Sequence, residues 1–150
     1  MRIYVDTSVI NGLYAQDKRI IEITKDFFCH AKLGKFTLYS SNLLAEEIRK
    51  TKNVSLRKKL INVIEKYRIK LLSISEKVEQ LAQNYIKEKI IPARYIADAM
   101  HIAFATVYNI PVLVSWNFEH MVKHKTRIEV NRINRENGYP QIDICSPQEV

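Results

Sequence analysis

The segment YIADAMHIAFATVY, residues 95–108, places a carboxylate inside a stretch that is otherwise typical of a buried helix. Its apolar residues recur at helical spacing, which predicts a helix packed against a core. Asp98 lies within this apolar stripe, between Ala97 and Ala99. A buried carboxylate costs free energy unless it is hydrogen-bonded, paired with a cation or bound to a metal ion. The position therefore predicts a partner for Asp98, with a purely structural carboxylate as the alternative.

A second acidic candidate lies in the segment LLAEEI. On a helical wheel, Glu47 falls within the arc spanned by Leu43, Leu44 and Ile48, whereas Glu46 points outside that arc. Adjacent glutamates on a helix are more often a solvated face than a site. The wheel nevertheless favours Glu47 over Glu46 as the residue that faces the interior.

A third acid, Asp6, ends the short β-branched and aromatic segment RIYV. Taken alone, Asp6 could equally be the N-cap of a helix that begins with TSVI. If Asp6, Glu47 and Asp98 converge, they repel one another, and a hard divalent cation with oxygen ligands relieves that repulsion. Mg²⁺ or Mn²⁺ fits this donor set, and such an ion can activate a bound water and neutralise charge on a phosphoryl group.

Short apolar segments alternate with helical segments, and this alternation would bring the three acids together. The predicted strands are RIYV, KFTLYS, IKLLSI, PVLVSW and, as a fifth candidate, IDIC. A helical turn is expected after Asp6, and longer helices at residues 18–33, 43–50, 54–67, 76–89 and 93–108. The pattern favours an α/β fold with one parallel sheet of four to five strands and helices on both faces. Ligands of such sheets gather at the carboxyl ends of the strands.

The last part of the sequence is less regular. The polar segment KHKTRIEVNRINRENGYPQ is expected to pack loosely, as an exposed helix followed by a turn at NGYP. The segment SPQE has a capping-box pattern, with Ser146 as the cap and Glu149 at the third helical position.

Composition narrows the class of protein. The 150 residues are about the size of one globular domain, so a single domain over residues 1–150 is expected. No apolar run approaches the roughly 20 residues of a membrane span, and the start MRIYVDTSVI does not resemble a signal peptide. Cys29 and Cys145, the only cysteines, form no C-x-x-C pattern. They argue against a disulfide scaffold or a zinc knuckle and favour a reducing cytoplasm.

The charge balance favours a polyanionic partner, because the formal net charge is +8. Two basic segments adjoin the acidic positions, and an ordinary solvated surface is the alternative for both. The first follows Glu47 and is expected to track a phosphate backbone through Arg49, Lys50, Lys52, Arg57, Lys58 and Lys59. The second contains Lys123, His124, Lys125, Arg127, Arg132 and Arg135.

Four segments, RIYVDTSVI, SSNLLAEEI, ADAMHIAFA and VLVSWN, together resemble the PIN-domain ribonucleases in order and spacing, and in particular the toxins of VapC-type toxin–antitoxin pairs. The resemblance extends from Arg2 to about Ile144. It implies a Rossmann-like sheet, Mg²⁺ or Mn²⁺ as cofactor and endonucleolytic cleavage of RNA. Matched motif by motif, it implies that Asp6, Glu47 and Asp98 are metal ligands.

The sequence departs from the family pattern at Asn117, where the resemblance usually supplies a further aspartate. Asn117 would leave three carboxylates and a neutral amide oxygen in the catalytic group. Ser8, two residues after Asp6, is a candidate for positioning metal-bound water, with helix capping as the alternative.

Three other side chains have plain structural interpretations. His101 is expected to be a packed, hydrogen-bonded histidine and not a catalytic base, because the resemblance implies no catalytic role for it and hard cations prefer oxygen ligands. His120 and His124 have the i, i+4 spacing of a zinc pair, but a solvated helix face is favoured because no third ligand is evident apart from Glu119. Trp116 could stack on a base, although packing is favoured.

The sequence therefore predicts a metal-dependent endoribonuclease of the VapC type that acts on RNA. Its other candidate partners are a cognate antitoxin and a second copy of the chain, and no membrane is expected. A phosphatase with an aspartyl nucleophile is disfavoured, because its D-x-D-x-T pattern needs an acid where Ser8 stands. A catalytically weak or inactive nucleic-acid-binding module is the remaining alternative.

Overall fold

The computed structural model describes all residues from Met1 to Val150, and its centre is a parallel β-sheet. The five strands are β1 (Arg2–Val5), β2 (Thr37–Ser41), β3 (Lys70–Leu72), β4 (Val112–Val114) and β5 (Asp143–Cys145). They lie in the order β3-β2-β1-β4-β5, and every neighbouring pair is parallel. The predicted parallel sheet is confirmed, with IDIC contributing its fifth strand.

Helices connect the strands and cover the sheet. The seven α-helices are α1 (Thr7–Gly12), α2 (Lys18–Lys32), α3 (Asn42–Arg49), α4 (Val54–Lys66), α5 (Glu76–Lys87), α6 (Ile96–Val107) and α7 (His124–Glu136). Asp6, Asp17, Asn53 and Ser75 cap α1, α2, α4 and α5, because each side chain accepts a hydrogen bond from a first-turn N–H group.

Side chains alternate between the two faces of each strand, so each face of the sheet has its own core. Tyr4 packs into the first core, with side chains of α5, α6 and α7. Ile3 and Val5 pack into the second core, with side chains of α1, α2, α3 and α4. Each fully buried aliphatic or aromatic side chain contributes about 1.5–3 kcal/mol relative to exposure. The predicted layers of helices on both faces are confirmed.

The strand order reverses its direction at β1. The chain runs outward from β1 through β2 and β3, then returns to place β4 and β5 on the other side of β1. Val5 is paired in register with Val114, so Asp6 and Ser115 leave the sheet side by side. A reversal of this kind opens a crevice at the carboxyl edge of the sheet, which is where α/β proteins bind ligands.

The segment predicted to pack loosely is well packed. It forms α7, which buries Val130, Ile133 and Asn134 against the first core. Asn134 Oδ1 accepts a hydrogen bond of 2.5 Å from the Tyr85 hydroxyl. The predicted helix and the turn after it are confirmed, but the predicted loose packing is wrong. Polar residues occupy most of α7, and the buried side includes a polar residue whose hydrogen bonds allow it to be buried.

Some ends of elements also differ from the prediction. Residues Ala93–Tyr95 form a 3-10 turn, so α6 begins at Ile96. The capping box at Ser146 is confirmed, because the Glu149 carboxylate accepts hydrogen bonds from the N–H and hydroxyl groups of Ser146. The helix that it starts is a single 3-10 turn, Pro147–Glu149.

Gly12 marks a close approach between α1, α2 and the loop after β4. A Cβ atom at this position would lie 2.7 Å from Thr24 Oγ1 and 2.9 Å from Trp116 Nε1. Both cysteines are free thiols, as expected. None of the helices combines the length and the apolar character needed to cross a lipid bilayer.

Candidate active site

Asp6 lies directly after β1, and both oxygens of its carboxylate accept hydrogen bonds. Oδ1 accepts from the Ser8 hydroxyl at 2.5 Å and from the Val9 N–H at 3.3 Å, and Oδ2 accepts from the Ser115 hydroxyl at 2.6 Å. Burial raises the pKa of Asp6, and this effect exceeds the lowering caused by His101 and the hydrogen bonds. The bond to Val9 confirms the N-cap interpretation. A carboxylate has about four acceptor sites, so three donors leave a position for a further ligand.

Ser8 holds Asp6 in place. Its hydroxyl donates to Asp6 Oδ1 and accepts a hydrogen bond of 2.8 Å from the Trp116 N–H. The N-cap of α1 is Asp6, so the alternative that Ser8 caps the helix is wrong. The predicted contact between Ser8 and metal-bound water stays a prediction.

The partner of Asp98 is the side-chain amide of Asn117. Asn117 Nδ2 donates to Asp98 Oδ2 at 3.1 Å, and Asn117 Oδ1 accepts from the His120 N–H at 3.0 Å. The backbone N–H of His120 can only donate, so the amide atom facing it must be Oδ1 of Asn117. The other amide atom, Nδ2, therefore faces Asp98. The Asn117 N–H donates to Ser115 Oγ at 2.9 Å. Hydrogen bonds thus connect Asp6 to Asp98 through Ser115 and Asn117.

A neutral amide does not compensate the charge of Asp98. Burial and the negative charge of Asp6 raise the pKa of Asp98, and Asn117, His101 and His120 lower it by less. Asp98 is therefore a half-buried carboxylate whose ionisation is opposed by a second carboxylate. A cation close to both would favour the ionised form of each.

Glu47 faces the interior and Glu46 is exposed, as the helical wheel predicted. Glu47 Oε1 lies 2.9 Å from His101 Nε2. Burial opposes ionisation of Glu47, but the hydrogen bond and charge of His101, together with Thr7 and Lys50, outweigh it and lower the pKa of Glu47. The role of Glu47 as a metal ligand stays a prediction.

His101 is a buried, fully hydrogen-bonded histidine, as expected. Its Nδ1 lies 2.7 Å from the Tyr4 hydroxyl, which in turn contacts Ser41 Oγ at 2.9 Å. The sequence did not predict that the His101 ring would affect the pKa of all three acids. The charge of His101 lowers the pKa of Asp6, Glu47 and Asp98 alike. Its spacing of three residues from Asp98 was the available signal, because such residues share a helix face.

The oxygen donors at this edge fit Mg²⁺ or Mn²⁺ in type. The observation that supports the fit is the pair of carboxylates Asp6 and Asp98, whose pKa values are both raised. No three His, Cys, Asp or Glu side chains are grouped closely enough to hold an ion as the structure stands. Asp6 and Asp98 are the residues that would hold it most directly. Glu47 would join them by sharing or leaving its hydrogen bond with His101.

The first basic segment is exposed along α3 and α4. The charge of Lys50 lowers the pKa of Glu47, so the start of the segment lies beside Glu47. Arg57 is half-buried and donates to the Thr51 carbonyl at 3.2 Å. The other residues predicted to bind RNA are exposed and form no ion pair: Arg49, Lys50, Lys52, Lys58 and Lys59.

The second basic segment does not act as one surface. Arg132 forms ion pairs with Glu129 at 3.0 Å and Glu136 at 3.1 Å. Arg127 lies 3.9 Å from Glu149 and donates to a backbone carbonyl of β5. These two arginines therefore pair within the chain, whereas the lysines at the start of α7 do not.

His120 and Trp116 have mainly structural environments. His120 lies in the loop before α7 and its ring packs on Tyr95 with centroids 4.0 Å apart, so the predicted solvated helix face is wrong for this residue. The i, i+4 spacing to His124 is not helical, because α7 begins only at His124. Trp116 Nε1 donates to Thr24 Oγ1 at 3.0 Å, which supports the packing interpretation.

Asn117→Asp is expected to tighten Mn²⁺ binding. The change replaces the amide that donates to Asp98 with a carboxylate, which adds repulsion in the metal-free protein and attraction for a cation. The expected gain is about 1 kcal/mol, the size of one added interaction between partly solvated charges. Calorimetric titration measures it, with Asn62→Asp on the exposed side of α4 as the charge-matched control. Unchanged or weaker affinity in a folded variant would place Asn117 outside the reach of the metal.

Comparisons with known proteins agree with this fold. A family model described as the PIN domain matches residues 3–119. A chain in the crystal structure of VapBC2 from Rickettsia felis bound to a promoter DNA fragment has a similar fold. Its TM-score is 0.58 and its sequence identity is 14%, over 97% of this chain and 98% of that chain. The comparison with curated proteins found no match. Because the family model covers most of the sequence, this chain belongs to the PIN domain family.

Proposed function

We propose that this chain is a Mg²⁺- or Mn²⁺-dependent endoribonuclease and the toxin of a VapC-type toxin–antitoxin pair. PIN domains are generally nucleases and typically use divalent metal ions. The observation that carries the proposal is the pair Asp6 and Asp98 at the crevice between β1 and β4. Asp6 is buried, Asp98 is half-buried, and the pKa of each carboxylate is raised. Hydrogen bonds through Ser115 and Asn117 connect the two.

In this proposal Asp6 and Asp98 hold the ion, and Glu47 contributes from α3. The ion, when bound, supplies an activated water and neutralises charge on the phosphoryl group under attack. Ser8 and Ser115 orient the Asp6 carboxylate, and Asn117 orients that of Asp98. His101, held by Tyr4, orients Glu47 and moderates the repulsion among the three acids.

The proposal extends to the whole chain and to its partners. We propose that residues 1–150 act as one nuclease domain, since both cores share the same sheet. We also propose that it acts in the cytoplasm, a location with which its two free thiols are compatible. The similar structure is named as a VapBC2 complex bound to promoter DNA, which supports an antitoxin as a partner of this chain. Self-association into a homodimer stays a prediction.

A second candidate function is a nucleic-acid-binding PIN module with weak or no catalysis. Two observations favour it: Asn117 supplies an amide where the family usually has an acid, and Glu47 is bound to His101. Both functions predict RNA binding, and they differ in whether the RNA is cut.

A cleavage assay with purified protein separates the two functions. End-labelled RNA is incubated with Mg²⁺, with Mn²⁺ and with excess EDTA, and the fragments are mapped to find internal cuts. The nuclease proposal predicts internal cleavage with either metal and none in EDTA. Binding of RNA without cleavage would support the binding module, and undiminished cleavage in EDTA would contradict the metal dependence.

Replacing both Lys58 and Lys59 with Ala is expected to weaken RNA binding without changing metal affinity. Both lysines are exposed on α4, where they can contact phosphates. The slope of log affinity against log salt should fall by about 0.7 for each lost contact with single-stranded RNA. Binding isotherms at several salt concentrations test this. The control removes Lys32 and Lys35, which precede β2 at the opposite edge of the sheet, and an equal effect there would indicate a general charge effect.

A further inference from the structure

A cavity of about 670 Å³ lies between the end of α5 and the start of α7. This volume is within the roughly 300–1,000 Å³ of ligand clefts. Ile90 is the one hydrophobic residue among the nine that line it, so the cavity suits a charged or polar ligand and not an apolar one.

The lysines that line this cavity are free while two of its acids are paired. Glu88 and Glu129 lie 3.8 Å and 3.0 Å from the guanidinium of Arg132. None of the ion pairs in the chain includes a cavity lysine, namely Lys89, Lys123 or Lys125. Three lysines and three glutamates line the cavity, so its formal charges balance, but the lysines are the charged groups left without an ion-pair partner within the chain.

The start of α7 supplies a partial positive charge beside these lysines. The N-cap position of α7 is Lys123, whose side chain makes no capping hydrogen bond. The N–H groups of the first turn thus have no side-chain acceptor, and a helix N-terminus of this kind attracts anions. Lys123 and Lys125 flank these groups and also line the cavity.

His120 connects the cavity to the candidate active site. Its ring lines the cavity, its N–H donates to Asn117 Oδ1, and its charge lowers the pKa of Asp98. Its Nε2 is buried without a hydrogen-bond partner, and the Glu119 carboxylate is 3.6 Å away. His120 thus joins the lining of the cavity to Asn117, whose amide contacts Asp98.

We propose that this cavity is a subsite for a backbone phosphate of single-stranded RNA, on the strand that is cut at Asp6 and Asp98. The inference rests on the proposed nuclease function and assigns it a substrate contact outside the acidic crevice. Lys89, Lys123 and Lys125 supply the charge, and His120 separates the bound phosphate from the reacting position.

The first test measures binding separately from cleavage. Fluorescence anisotropy of a labelled single-stranded oligoribonucleotide is recorded in EDTA at several salt concentrations. Lys123→Ala and Lys125→Ala should each weaken binding severalfold and lower the salt slope by about 0.7. Lys77→Ala, in the first turn of α5 and outside the cavity, is the charge-matched control. Unchanged slopes in both cavity variants, or an equal change in Lys77→Ala, would overturn the subsite.

A second variant removes a cavity charge without a cost in stability. Lys89 has a φ of +59°, in the left-handed region that favours glycine. Lys89→Gly should therefore unfold at no lower temperature than the parent, yet bind RNA severalfold more weakly. If Lys89→Gly binds RNA as tightly as the parent, the subsite is contradicted, because the variant lacks the charge of Lys89.

Cleavage kinetics test the subsite and the nuclease proposal independently. With Mn²⁺ present, the lysine variants should raise KM severalfold and leave kcat unchanged. If the parent cuts RNA and the variants match it in KM, the subsite is wrong and the nuclease stands. If the parent binds RNA through these lysines but never cuts it, the lysine contact with RNA stands, whereas the nuclease proposal and the assignment to a cut strand are wrong. A parent that binds no RNA overturns both.

Discussion

Asp98→Asn is expected to abolish RNA cleavage and leave the fold intact. The variant keeps the shape of the side chain and an oxygen that can accept the Asn117 hydrogen bond, but it loses the charge that holds the metal ion. The loss should exceed the roughly 10–100-fold that outer-shell partners of metal ligands typically cost. Single-turnover cleavage rates measure it. Asp26→Asn, at an exposed position on α2, is the matched control and should cut RNA at the parental rate.

The stability of the same variant tests whether Asp98 is only structural. Burial and Asp6 raise the pKa of Asp98 in the folded protein. Its contribution to stability is therefore greatest below the unfolded pKa and is lost as the pH rises through the folded pKa. At neutral pH the metal-free variant should unfold at a temperature no lower than the parent, by circular dichroism. A marked fall in that temperature, or a folded variant that cuts RNA normally, would contradict the assigned role.

Glu47→Gln is expected to lower the cleavage rate by at least about tenfold, within the range for loss of a group that supports a metal site. Glutamine can still accept a hydrogen bond from His101, so the variant removes mainly the negative charge. The charge matters because it adds to the attraction for the cation.

Glu46→Gln provides the comparison, because Glu46 is the adjacent residue on the exposed side of α3. It should leave the single-turnover rate nearly unchanged. Equal losses of rate in Glu46→Gln and Glu47→Gln would mean that cleavage depends on the total charge of α3. The inward orientation of Glu47 would then be unimportant.

The sequence predicts much of the fold because its apolar periodicity is clear. The strand RIYV and the helix that ends near Lys32 have the expected ends almost to the residue. Parallel alternation then fixes which ends of the strands meet, so the edge that carries Asp6 could be predicted before any contact was known. The exposure of Glu46 and the partial burial of Glu47 follow from the same periodicity.

The parts that could not be predicted depend on contacts between distant segments. Ser115, which links Asp6 to Asn117, is an unremarkable serine in the sequence and becomes important through the register of β1 with β4. The bond between His101 and Glu47 joins α6 to α3, and no local pattern indicates it.

Charge patterns mislead for a similar reason. The run around Arg132 appears basic in the sequence, but glutamates at positions three before and four after it neutralise that arginine on the same helix. Lys89, by contrast, belongs to no basic run and reaches the cavity only because α5 ends beside the start of α7. Local composition therefore overestimated one part of the basic surface and missed another.

Mn²⁺ binding at the acidic crevice is the central claim, and calorimetric titration of the metal-free protein tests it directly. The parent should bind Mn²⁺ at one saturable site, and Asp98→Asn should bind it far more weakly while its circular dichroism spectrum stays the same. Mg²⁺ should compete for that site. A folded parent with no saturable Mn²⁺ binding, or an Asp98→Asn variant that binds Mn²⁺ as tightly as the parent, would contradict the assignment of Asp6 and Asp98 as the residues that hold the ion.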